Sequence, residues 1–61
     1  MPPILFKKVG LDDFERDIFI SKKGTYIVRI GNEFYTKVNN DINGEPCCKV
    51  EQHLIKIVDN F

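Results

Sequence analysis

The stretch Asp17-Ile18-Phe19-Ile20-Ser21-Lys22-Lys23-Gly24-Thr25-Tyr26-Ile27-Val28-Arg29-Ile30-Gly31-Asn32-Glu33-Phe34-Tyr35-Thr36-Lys37-Val38 reads as three β-strands joined by two tight turns. β-Branched and aromatic residues fill the strand segments, and turn formers separate them. A three-residue loop at Lys22-Lys23-Gly24 puts glycine where a type I turn plus bulge needs a left-handed residue. It pairs Ile20 with Tyr26 and Ile18 with Val28. For the second turn, a three-residue loop over Gly31-Asn32-Glu33 pairs Ile30 with Phe34. One face then collects Ile18, Ile20, Tyr26, Val28, Ile30, Phe34 and Val38. A two-residue loop instead places Glu33 and Lys37 on that face, because a one-residue slip exchanges the faces. Apolar clustering favours the three-residue loop.

Outward from this run, Ile4 to Val9 follows two prolines and suits an edge strand. Leu11 to Arg16 is a polar connector anchored by Phe14, and Asn39 to Glu45 is a loop of turn formers. Pro46 stands where the first turn of a helix tolerates it. At about 100° per residue, Cys47, Val50, Leu54, Ile57, Val58 and Phe61 share one arc, and Lys49, Gln52, His53, Lys56, Asp59 and Asn60 the other. This periodicity predicts an amphipathic C-terminal helix packed on the apolar sheet face. The expected fold is α+β: a small antiparallel sheet of three to four strands, two hairpins within 17–38, and one helix.

The 61 residues are expected to form a single domain, 1–61, with a core of marginal size. Nine basic and nine acidic residues leave no net charge, which argues against strong non-specific attraction to nucleic acid and permits self-association. The cysteines, Cys47 and Cys48, are adjacent, so no disulfide framework exists and a reducing, cytoplasmic setting is expected. The apolar stretch before Lys7-Lys8 is too short for a signal peptide. No apolar run reaches membrane-spanning length.

Patterns that carry chemistry are sparse. His53 has no evident nucleophile partner, and adjacent cysteines point in different directions with no second pair, so neither a catalytic nor a metal site is expected. Asn39-x-Asp41-x-Asn43-Gly44 matches half of a calcium loop, but the twelfth position is Val50 rather than glutamate. The acidic residues Asp12, Asp13, Glu15 and Asp17 read as a solvated connector. No cofactor is implied, and an enzyme is not expected. The face away from the helix is expected to carry Phe19, Ile27, Arg29, Tyr35 and Lys37 as partner-binding residues. Such a surface suits a non-enzymatic, regulatory protein-interaction module, its partner another protein or a second copy of the chain. The alternative is a nucleic-acid binder that uses the same aromatic and basic residues.

Overall fold

A computed structural model describes residues 2–61. Six strands follow one another: β1 (Ile4–Leu11), β2 (Asp17–Ser21), β3 (Tyr26–Ile30), β4 (Glu33–Lys37), β5 (Pro46–Val50) and β6 (Ile55–Ile57). Short 3₁₀ turns at Val38–Asn40 and Gln52–Leu54 lead into the last two connections. The strands form one sheet in the order β5-β4-β3-β2-β1-β6. Neighbours from β1 to β5 are antiparallel, and β6 runs parallel to β1.

That order forces the sheet to curl. β5 and β6 are its two edges, yet only Glu51 to Leu54 separate them in sequence. Six flat strands would put those edges about 24 Å apart, at roughly 4.8 Å per strand. Five Cα steps reach about 19 Å at most. The sheet therefore bends into a half-barrel, and the Gln52 side chain donates to the Asn32 carbonyl across the bend. Phe6, Phe19 and Ile27 are buried on the inner face, and Phe34, Val50 and Ile55 pack against them. Phe19 and Phe34 meet edge to face with centroids 5.9 Å apart, a favoured aromatic geometry.

The first hairpin follows its turn chemistry. Ile18 pairs with Val28 and Ile20 with Tyr26, as the Lys22-Lys23-Gly24 loop predicts. Gly24 sits at φ 93°, while the Ser21 hydroxyl accepts from the Thr25 N–H at 3.0 Å. The second hairpin differs from expectation by one residue. Ile30 pairs with Glu33, so Gly31-Asn32 is a two-residue loop. Gly31 alone has positive φ, 63°, the requirement at the first central position of a type II′ turn. Turn geometry wins because both faces of this sheet carry buried apolar residues, which removes the premise of counting them on one face. Ile18, Val28, Tyr35 and Lys37 consequently share the outer face.

The predicted C-terminal helix is absent, and the fold is nearly all β rather than α+β. A helix laid on one face would leave the edges of β4 and β1 unpaired. Residues 46–57 satisfy both edges by splitting into two strands around a 3₁₀ turn. Cys47, Cys48, Val50, Ile55 and Ile57 are poor helix formers, and Pro46 is tolerated as the first residue of an edge strand. Ile4 to Val9 lies within β1, an interior strand between β2 and β6 rather than an edge. Among the described residues, no helix is long and apolar enough to cross a membrane.

Candidate functional site

The outer face opens into a cleft of about 560 Å³, floored by Ile18 and Lys37. Its walls are the β1–β2 connector, with Leu11 to Phe14 and Arg16, and the β4–β5 loop from Ile42 to Pro46. The connector is held by one carboxylate. Asp12 Oδ1 accepts from the backbone N–H groups of Phe14 and Arg16, both at 2.8 Å, and Oδ2 accepts from Arg16 Nε at 2.6 Å. Burial disfavours the Asp12 charge, but these donors outweigh it and hold its pKa below the usual value of 3.8. Glu15, at φ 61°, completes the tight bend.

This loop lifts Phe14 into solvent, 77% exposed, with the Arg16 guanidinium 4.8 Å from its ring centroid. Leu11 and Ile42 stand exposed on the same rim. The opposite wall is also built. Asp41 Oδ1 accepts from the Asn43 N–H at 2.9 Å, and the Gly44 N–H donates to the Asp41 carbonyl at 2.8 Å. Asn39 to Gly44 therefore forms a turn that uses its own acceptors, in place of the half calcium loop.

Lys37 is the unusual group. It is 6% exposed, and its ammonium donates to the Gly44 carbonyl at 3.0 Å. The ion pairs among the described residues join Lys8 and Arg29 to Asp17, Arg16 to Asp12, and Lys49 to Glu33; none involves Lys37. An ammonium has three donors, and one of them is taken by the Gly44 carbonyl.

The five residues singled out in the sequence do not form one patch. Phe19 and Ile27 are buried on the inner face, at 4% and 1% exposure. Arg29 is on that face near its open mouth, bonded to Asp17. The Lys8 hydrogen bond is the main cause of the lowered Asp17 pKa, with Arg29 adding to it. Tyr35 and Lys37 lie on the outer face, and of the five Lys37 alone lines the cleft. Sequence reading missed Phe14 as a site residue; its signal was an aromatic inside a polar connector. Cys47 and Cys48, expected to diverge, instead place their sulfurs 3.5 Å apart. No family model, curated protein or solved structure matches the chain.

Proposed function

We propose that this chain is a small, non-enzymatic protein-interaction module whose cleft receives a partner segment pairing an apolar side chain with a carboxylate. The observation that carries the reading is Phe14: a large aromatic held out in solvent by a loop already stapled through Asp12. Exposed aromatics beside a concavity are typical interface anchors, and a pre-ordered loop loses little entropy on binding. Lys37 supplies the polar half, since a partner carboxylate would occupy its remaining donors. Asp13 and Glu45 on the rim set register by disfavouring acidic residues elsewhere in the segment. A second copy of the chain is one such partner, and the surface thiols suit a cytoplasmic setting.

The nucleic-acid reading loses support, because its aromatic and basic residues divide between two faces and Phe19 and Ile27 are buried. A random-peptide library displayed against the immobilised chain tests the proposal. Enriched peptides should place an aromatic or aliphatic residue beside an acidic one. Their affinity should drop at least tenfold with Phe14→Ser and with Lys37→Met. Enrichment without an acidic residue, or binding indifferent to both substitutions, rejects it.

A further inference from the structure

Successive side chains on a regular strand point to opposite faces. Cys47 and Cys48 break that alternation, and the ladder shows why. Tyr35 pairs with Lys49 and Lys37 with Pro46, so Thr36 alone faces both cysteines. Two residues against one is a β-bulge, which re-aims a side chain of the bulged strand. The Thr36 hydroxyl fills the irregularity, accepting from the Cys48 N–H at 3.3 Å and donating to the Cys48 carbonyl at 3.4 Å. Both thiols are free, exposed and on an edge strand.

We propose that Cys47 and Cys48 form a bidentate dithiol site for one soft, three-coordinate centre, of the kind represented by trivalent arsenic carrying one ligand of its own. Two bonds to sulfur of about 2.3 Å, spanning the 3.5 Å separation, subtend about 100°. That angle suits a pyramidal centre and excludes a linear one. Among the described residues, no group of three or more His, Cys, Asp or Glu gathers to hold a metal ion. A four-coordinate ion would find two sulfurs where it needs four ligands, whereas a three-coordinate centre with its own substituent is complete. An internal disulfide fits poorly: neighbouring Cα atoms are about 3.8 Å apart, and relaxed disulfides need roughly 4.4–6.8 Å.

The Cys48 hydrogen bond, and then its charge, raise the Cys47 pKa above the usual thiol value. With an organic arsenic(III) oxide the balance is simple. Two As–S bonds form and the As=O bond breaks. The two thiol protons leave with that oxygen as one water, and no electrons change hands.

Phenylarsine oxide is the probe. Mass spectrometry of the reduced, folded chain should show one adduct per molecule, with one water lost. The adduct should survive excess glutathione and be removed by a small dithiol. Cys47→Ser and Cys48→Ser should each weaken capture at least a hundredfold, since either leaves a single sulfur. Thr36→Val keeps both cysteines and should weaken it about tenfold, as should unfolding the wild-type chain in urea. Equal capture by a single-serine variant, or capture unchanged in both urea and Thr36→Val, overturns the proposal. So does a chain that loses two hydrogens to a disulfide in air before the probe can react.

Discussion

Both faces of the half-barrel carry buried residues, but they are covered by different means. The inner face closes on itself: Phe6, Phe19 and Ile27 are covered because the chain returns as β5 and β6, bringing Val50 and Ile55 against them. The outer face has no second layer. Ile18, Val28 and Lys37 are buried there, and two hydrogen-bonded loops leave a cleft over Ile18 and Lys37. One face is finished by apolar packing; the other ends in a charge with unused donors. A face built for stability alone has no need of a lysine at its floor, so the second face is the one with room for a partner.

Substitutions separate the two. Ile27→Ala should have the largest effect, destabilising by about 3 kcal/mol or more through lost transfer energy and a cavity that the curled sheet cannot collapse. Since a core of this size supplies only about 3–5 kcal/mol, urea denaturation should find that variant close to unfolded. Val28→Ala on the outer face should destabilise less, by about 2 kcal/mol, read from a smaller drop in the urea midpoint. If Val28→Ala proved the more damaging, the outer face would be the true core. Gly31→Ala probes the turn that sets which side chains share a face. A Cβ there meets nothing within 4 Å, so the cost should be backbone strain at φ 63° alone, about 1–2 kcal/mol.

Lys37→Met should change stability by no more than about 1 kcal/mol, because loss of the hydrogen bond to the Gly44 carbonyl offsets the gain of an apolar side chain, while peptide capture is lost. A Lys37→Met variant destabilised beyond that would make the lysine structural. The smallest effect is acid sensitivity at the inner mouth. The Lys8 hydrogen bond, aided by Arg29, holds the Asp17 pKa below 3.8, so its ionised form favours the folded state. That contribution is present above about pH 4 and fades as the pH falls through the lowered value. Asp17→Asn should flatten the decline of stability below pH 4, with a residual slope from Asp12 on the other face.

The same contrast explains how far the sequence can be read. The hairpin from Asp17 to Ile30 is legible because Gly24 selects one loop and strand alternation does the rest. The second hairpin is legible in its turn, since Gly31-Asn32 is a two-residue signal, but not in its apolar pattern. With apolar residues buried on both faces, apolar counting cannot choose the register, and the slip it favours keeps Lys37 off the cleft floor. Residues 46–57 mislead for another reason. A few apolar positions around a 3₁₀ turn mimic helical spacing, while the demand that decides their structure, two unpaired sheet edges, lies elsewhere in the chain. The site residues share this difficulty. Phe14 and Lys37 belong to different segments and meet at one cleft only after folding.

The parallel pairing of β6 with β1 has a consequence for how the molecule is made. Hairpins from β1 through β5 join sequence neighbours and can form one after another. The Ile4–Phe6 ladder with Ile55–Ile57, sealed by the Val58 N–H donating to the Phe6 carbonyl at 2.8 Å, joins the two ends of the described chain. Closing so long a loop is entropically late. During synthesis β1 emerges with one edge bare and stays so until Ile55–Ile57 has followed. The exposure ends only when β6 docks, which makes Ile55–Ile57 the guard of β1.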